Sequence, residues 1–184
     1  MDYGESSYRR FLEGDKDAFD AVLELYFDSL TFFIFRFVRD VHTAEDLAID
    51  SLLELIVHPR RYNFKTPLKT YLFAIGHNKA VNYVKRASRT ELRGLTDADF
   101  ADAQSLEEEI LREDEKRRLN RAVEALPEEM RIAVHLVYFE SLTYTETAKV
   151  MKKSKKQVDN LLYRAKAILK KELSGKDCDT ARNG

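Results

Sequence analysis

The sequence predicts an all-α protein with two small helical domains joined by an acidic linker. Apolar residues recur at three- and four-residue spacing through most of the 184 residues, and no segment shows the alternation typical of a half-buried strand. The composition, 44% hydrophobic and 34% charged, indicates a globular protein with one mid-sized core or two small ones. The stretch "TDADFADAQ" interrupts the helical pattern with small and acidic residues, which are typical of a flexible linker.

The first half begins with a long amphipathic helix, predicted over residues 16–39. Its apolar positions keep i, i+3, i+4 spacing and therefore share one face, which must pack against a partner. These positions are Phe19, Val22, Leu23, Tyr26, Phe27, Leu30, Ile34 and Phe37.

Two further helices are expected before the linker. Thr43 and Asp46 have the spacing of a capping pair and predict the start of the second helix. A loop is expected over residues 57–67, after which the pair Thr66–Pro67 opens a third helix that reaches about Arg86. We expect the buried face of the second helix to consist of Ile49, Leu52, Leu53 and Ile56.

Domain boundaries follow from these patterns. In the second half, Ser105 is expected to open one helix and Pro127 another, which reaches Phe139. We assign residues 1–89 to the first domain, 90–104 to the linker, 105–175 to the second domain and 176–184 to a disordered tail.

Charge is strongly segregated, although the formal net charge is only −1. Residues 60–89 contain eight basic residues and no acid, and residues 142–171 contain nine basic residues against two acids. Residues 1–59 contain five basic residues against thirteen acids. A solvated helix face would explain either basic segment alone. Two such segments, each on a helical pattern, favour contact with a polyanion at two places, with the acidic surface facing another partner.

Two capping boxes define the second basic segment. Thr143 pairs with Glu146, and Ser154 pairs with Gln157 eleven residues later. This spacing predicts a helix of about eight residues, a tight turn and a longer helix, which is the layout of a helix-turn-helix. The inward face of the longer helix is expected to contain Val158, Leu161, Leu162, Ala165, Ile168 and Leu169.

The outer face of this longer helix carries residue types that bind duplex DNA. Lysines neutralise phosphates, and an asparagine can form two hydrogen bonds with adenine in the major groove. The alternative is a basic amphipathic helix that meets a membrane or another protein, but such a helix does not require the preceding helix and turn. The candidate DNA-binding residues are Lys155, Lys156, Gln157, Asp159, Asn160, Tyr163, Arg164 and Lys166.

Both halves resemble parts of one protein family. The segment "LPEEMRIAVHLVYFESLTYTETAKVM" followed by "SKKQVDNLLYRAKAIL" resembles region four of bacterial RNA polymerase sigma factors. In the first half, "AEDLAIDSLLELI" resembles the polymerase-binding helix of region two, and "FKTPLKTYLFAIGHNKAVNYVKR" resembles its promoter-melting and minus-ten-reading segment. Both halves, in this order and joined by a short acidic linker, resemble the two-domain extracytoplasmic-function group of the sigma-70 family.

The resemblance implies a sigma factor that binds core RNA polymerase and promoter DNA, acts in the cytoplasm, needs no cofactor and is open to control by an anti-sigma factor. The exposed acids Asp46, Asp50 and Glu54 are the expected polymerase-binding residues. The loop of residues 58–69 would hold a flipped minus-ten base, because aromatic rings beside cations capture unpaired bases. The candidate minus-ten contacts are Arg60, Arg61, Tyr62, Phe64, Lys65, Lys69, Asn78, Lys79, Asn82 and Lys85.

Two details refine the resemblance. Tyr71 and Phe73 lie within an apolar helical pattern, which favours a place in the core over a DNA contact. Lys152 stands in the turn, where many family members have glycine, and a left-handed lysine there would cost about 1 kcal/mol.

Other classes of protein fit the sequence less well. The four histidines form no H-x-x-x-H motif, and neither G-x-S-x-G nor a glycine-rich phosphate loop occurs, so we expect no enzyme activity. Cys178 is the only cysteine, which excludes an internal disulfide and a cysteine-based metal site. The apolar run "LTFFIFRFV" is too short to span a bilayer. The alternative that stays open is a helix-turn-helix regulator that acts without core polymerase.

Overall fold

The computed structural model describes residues 3–90 and 118–174. Two helical units are present: the first holds the helices before residue 98, and the second holds most of the chain after it. No strand occurs in the described ranges, which confirms the all-α prediction. The predicted linker beyond residue 90, the helix start at Ser105 and the tail at 176–184 lie outside the described residues.

Within residues 3–90, the first unit contains four helices and one short 3-10 turn. They are α1 (Tyr3–Leu12), α2 (Ala18–Val38), α3 (Val41–Val57), the 3-10 turn Pro59–Arg61, and α4 (Leu68–Thr90). Helix α2 packs against α1, α3 and α4. Each apolar side chain that this packing removes from water stabilises the unit by about 1.5–3 kcal/mol. The largest fully buried side chains here are Tyr8, Leu30, Phe33, Ile34, Leu52, Leu55, Leu68, Leu72 and Phe73.

Helix α1 was not expected from the sequence. It has only ten residues, and helices of that length depend on tertiary contacts for their stability. Tyr8 supplies such a contact: its ring is fully buried, and its hydroxyl donates a hydrogen bond to the carbonyl oxygen of Leu55 at 2.8 Å. Burial raises the pKa of Tyr8 to about 12, with a smaller contribution from Tyr71. The hydroxyl therefore stays protonated and keeps this bond at physiological pH.

The expected face of α3 is wrong. Ile49, Leu53 and Ile56 are 46%, 44% and 40% exposed, and only Leu52 of the predicted four is buried. The neighbouring stripe also has helical spacing, and its alanines and serine allow the backbone of α3 to approach the core closely. The buried residues of α3 are Ala44, Ala48, Ser51, Leu52 and Leu55.

The start of α3 and the buried face of α2 also differ from the prediction. Helix α3 begins at Val41, and its N-cap is Asp40, whose side chain accepts a hydrogen bond from the Thr43 amide at 2.8 Å; the predicted Thr43–Asp46 cap is therefore wrong. In α2, Phe33 is fully buried although it was not in the predicted face, and Leu23 is 36% exposed although it was.

The longest described helix of the second unit is α8 (Lys155–Ser174). The elements of this unit are α5 (described over 118–124), α6 (Glu128–Val134), a π-helical segment (His135–Phe139), α7 (Tyr144–Met151) and α8. Helix α6 packs against α8. The helix predicted from Pro127 to Phe139 is confirmed in extent, but its last five residues wind as a π-helix.

The two predicted capping boxes are confirmed by reciprocal hydrogen bonds. The Thr143 amide donates to Glu146 Oε2 at 2.8 Å, and the Glu146 amide donates to Thr143 Oγ1 at 3.3 Å. The Ser154 amide donates to Gln157 Oε1 at 2.7 Å, and the Gln157 amide donates to Ser154 Oγ at 3.2 Å. Each box satisfies amides that the helix itself leaves unpaired, so both helices of the helix-turn-helix start where their sequences specify.

The turn between α7 and α8 contains a left-handed lysine, since Lys152 has φ 53°. Replacing Lys152 by glycine is expected to raise the free energy of unfolding of the second unit by up to about 1 kcal/mol, because glycine adopts this conformation without steric cost. Lys170→Gly removes the same charge from an exposed position inside α8 and should lower stability by about 1 kcal/mol. Denaturant unfolding followed by circular dichroism measures both. Equal losses at the two positions would contradict a left-handed residue 152.

Candidate functional site

Helix α8 presents the predicted DNA-binding residues on its exposed side. Val158, Leu162 and Ala165 are buried, whereas Ile168, which was predicted to point inward, is 37% exposed. Gln157 is exposed, but its side chain caps the helix. The other candidates are all exposed: Lys155, Lys156, Asp159, Asn160, Tyr163, Arg164 and Lys166.

Lys166 is anchored from within its own unit. Its ammonium lies 5.6 Å from the ring centre of Tyr138, and the nearby phenol side chain of Tyr138 raises the pKa of Lys166 above its ordinary value. Tyr138 is 51% exposed, so it extends the polar face of α8 with an aromatic ring. The pair places a positive charge beside an aromatic ring on the exposed side of the helix.

The loop after α3 is built on a cluster of aromatic rings. Tyr62 is only 4% exposed, and its hydroxyl donates to the carbonyl oxygen of Thr66 at 2.8 Å. Its ring centre lies 4.5 Å from that of Phe64, 5.1 Å from Tyr71 and 5.8 Å from Tyr8. Tyr62 therefore supports the loop from inside, and this conformation does not offer its ring to a base.

Phe64 holds an unusual position in this loop. Its φ of 60° is left-handed, which costs an aromatic residue about 1–2 kcal/mol. Its ring is half-buried, and the guanidinium carbon of Arg9 lies 3.9 Å from the ring centre. Such strain persists only where surrounding contacts hold the residue, and it concentrates at binding sites. By contrast Phe73 is fully buried, as expected for a core residue.

The predicted minus-ten cations and amides lie in this loop and along α4. Lys69 is half-buried, and its ammonium lies 5.6 Å from the ring centre of Phe73. On α4, Asn78 and Lys79 are half-buried. The candidates that are exposed are Arg60, Arg61, Lys65, Asn82 and Lys85.

The acidic stripe on α3 contacts two of these cations. Asp46 and Asp50 are exposed, and Glu54 is half-buried. Arg61 Nη1 lies 3.0 Å from Glu54 Oε2, and Lys79 Nζ lies 3.6 Å from Asp50 Oδ2. The residues predicted to bind polymerase and those predicted to bind the minus-ten DNA thus meet on adjoining surfaces of the first unit.

An apolar groove, missed by the sequence reasoning, runs beside this stripe. Its volume is about 1020 Å³, and it is formed by side chains of α1, α2 and α3 and of the turn before α2. The exposure of Ile49, Leu53 and Ile56 creates one wall. The sequence signal for this groove was the apolar stripe of Ile49, Leu53 and Ile56, which lies next to the buried stripe of small residues on α3. The remaining lining residues are Phe11, Lys16, Phe19, Asp20, Leu23, Glu24, Phe27, Asp28 and Leu52.

The described ranges contain neither a membrane-spanning helix nor a metal-binding cluster. No helix within 3–90 or 118–174 is both long and apolar enough to cross a membrane. The same residues contain no group of three or more histidine, cysteine or acidic side chains placed to hold a metal ion.

Comparison with known proteins agrees with this architecture. The family model for sigma-70 region 2 matches residues 22–90, and that for sigma-70 region 4 matches residues 116–169. The RNA polymerase sigma-H factor of Pseudomonas aeruginosa is 30% identical over 89% of this chain and 90% of its own length. The ECF RNA polymerase sigma factor SigM of Bacillus subtilis is 27% identical over 82% of this chain and 92% of its own.

A solved structure shows the same fold. The sigma factor RpoE of Bartonella quintana, in complex with the anti-sigma factor NepR, matches 86% of this chain and 98% of its own with a TM-score of 0.67 at 21% identity. The chain belongs to the sigma-70 family of RNA polymerase sigma factors, in its extracytoplasmic-function group.

Proposed function

We propose that this sigma factor binds core RNA polymerase through α3, reads the minus-ten strand with the first unit and reads the minus-thirty-five duplex with α8. One observation carries the proposal. The chain combines an exposed acidic and apolar surface on α3 with two separate surfaces whose residues suit DNA binding. A regulator that acts without polymerase needs only the helix-turn-helix. The region-two match and the additional basic surface of residues 60–89 therefore favour the sigma function.

The polymerase surface combines charge with apolar area. Asp46, Asp50 and Glu54 provide charge that selects a basic partner, and the adjacent Ile49, Leu53 and Ile56 provide area that is removed from water on binding. Large exposed apolar side chains grouped beside a groove are typical of a protein interface.

The two DNA surfaces have different chemistry. Around the loop, cations and aromatic residues suit an unpaired strand, because bases stack on planar groups while cations follow the backbone. On α8, lysines beside Asn160 suit the major groove of a duplex. We assign the minus-ten contacts to Arg60, Arg61, Phe64, Lys65, Lys69, Asn78, Lys79, Asn82 and Lys85, with Tyr62 as their internal support.

Control by a protein partner belongs to the same proposal. The RpoE sigma factor of Bartonella quintana is bound by an anti-sigma factor, and we propose a partner of this kind for the present chain. It would compete with core polymerase for the α3 surface and the groove.

Co-purification separates the proposed function from its alternative. The tagged full chain should retain core RNA polymerase subunits from a bacterial extract and should bind promoter DNA tightly only with them. A chain that binds duplex DNA tightly by itself and retains no polymerase subunit would instead be a helix-turn-helix regulator that acts without core polymerase.

A further inference from the structure

The aromatic cluster at the minus-ten loop is covered by a residue from outside the segment that matches region two. Arg9 lies on α1, which ends before residue 22, where that match begins. Its guanidinium lies over the ring of Phe64, with 3.9 Å between the guanidinium carbon and the ring centre. Tyr62 is buried and Phe64 is half-buried, whereas the Arg9 side chain is 45% exposed. The guanidinium is therefore an exposed planar group at the top of the cluster.

Arg9 is held in place by contacts on two sides. The Phe64 ring supports it from below, and its Nη2 donates to Glu5 Oε1 at 3.0 Å, one helical turn away. The Glu5 side chain is only 17% exposed, and its other oxygen lies 3.4 Å from the Tyr62 hydroxyl. This arrangement links Arg9, Glu5, Tyr62 and Phe64, so the guanidinium is positioned before any DNA arrives.

The loop below Arg9 is also locally braced. Tyr62 donates to the Thr66 carbonyl, and the Lys65 amide donates to Asn63 Oδ1 at 3.1 Å. These bonds hold Phe64 in its left-handed conformation, which places the ring under the guanidinium. A strained residue whose side chain supports an exposed cation is the kind of preformed arrangement found at ligand sites.

We propose that Arg9 is a further DNA-binding residue of the minus-ten site, and that an unpaired base stacks on its guanidinium with Phe64 beneath it. This inference rests on the proposed function, since it requires that the loop binds an opened strand. Guanidinium planes stack on unpaired bases as aromatic rings do. Arginine is suited to this role and lysine is not, because an ammonium has no plane.

The test uses reconstituted holoenzyme with full-length protein. The probe is the single-stranded non-template strand of a promoter that wild-type holoenzyme selects from a random-sequence pool, with each minus-ten position made abasic in turn. The variants are Arg9→Lys, which keeps the charge and removes the plane, and Phe64→Leu, which removes the support. Arg10→Ala is the control, because Arg10 is on the same helix but pairs with Asp15, away from the ring cluster. Core binding and thermal melting verify that each variant is folded.

At one minus-ten position, we expect removal of the base to weaken binding by about fivefold to tenfold, and Arg9→Lys to weaken it by the same factor. This factor corresponds to the lower end of the range of free energies for a base stacked on a planar group. The Arg9→Lys variant should bind the probe that lacks this base no more weakly than wild-type protein does. Phe64→Leu should likewise cause no further loss on that abasic probe. Arg10→Ala should reduce binding to all probes by one common factor.

Two results overturn the assignment. The first is binding of the Arg9→Lys variant at the wild-type level. The second is an equal loss of binding for intact and abasic probes at every position, which would show that Arg9 does not act by stacking on a base. If wild-type holoenzyme itself fails to distinguish intact from abasic probes, the proposed minus-ten function of the first unit fails together with this inference.

Discussion

Reversal of Asp46 and Asp50 to lysine is expected to abolish binding to core RNA polymerase. Both carboxylates are exposed on α3 beside Ile49, Leu53 and Ile56. Placing two like charges against a basic partner surface costs several kcal/mol, so the affinity should fall by about a thousandfold or more.

The fold should survive this double reversal. Asp46 is not an N-cap, and Asp50 is 60% exposed in its 3.6 Å pair with the half-buried Lys79, so loss of the pair should change stability by about 1 kcal/mol. Glu13→Lys with Glu172→Lys is a matched control, because both acids are exposed, neither is part of α3, and their reversal changes the net charge by the same amount. Pull-down of core polymerase, together with circular dichroism, decides the outcome. Undiminished pull-down by the Asp46 and Asp50 variant would exclude this stripe from the interface.

Asn160→Ala should produce the second-largest effect, and it should depend on DNA sequence. The side-chain amide can donate to and accept from one base edge in the major groove, so its loss should cost about 1–3 kcal/mol at the preferred minus-thirty-five sequence. At a promoter altered at the contacted base pair, the same substitution should cost much less. Asp159 beside it is a candidate for discrimination, since a carboxylate repels phosphate but accepts a hydrogen bond from cytosine.

Lys155 and Lys156 provide the matched comparison on the same helix. Both are exposed in its first turn, and we propose that they contact phosphates. Alanine at these positions should therefore weaken binding to all promoters alike and reduce the slope of log affinity against log salt by about 0.9 per lost contact. Binding by reconstituted holoenzyme is measured across a salt series with each minus-thirty-five position varied. An Asn160→Ala variant that loses affinity evenly for every sequence would show that α8 does not read bases through Asn160.

The helix-turn-helix could be predicted from the sequence because its determinants are local. The capping boxes at Thr143 and Ser154 each involve residues three positions apart, and the structure forms both. The exposed face of α8 follows from the positions of Val158, Leu162 and Ala165 in a single amphipathic helix. Such patterns need no knowledge of the neighbouring elements.

The first unit was harder to predict because its outcome depends on tertiary packing. Helix α3 carries two adjacent stripes with helical spacing, and the choice between them is made by how closely α3 approaches the core through Ala44 and Ala48. The same packing buries Tyr62 under α1, and it brings Glu54 to Arg61 and Asp50 to Lys79. No helical pattern along the chain specifies these contacts, because each of them joins residues on different elements.

Transcription in vitro tests the sigma function most directly. Core RNA polymerase, the full chain and a pool of bacterial promoter fragments are combined, and the 5′ ends of the transcripts are mapped. We predict transcripts that require this chain, start at discrete positions and share sequence motifs about ten and thirty-five base pairs upstream. If the chain produces no transcripts above those of core polymerase alone, or only transcripts with scattered starts, the account of this protein as a promoter-specific sigma factor is contradicted.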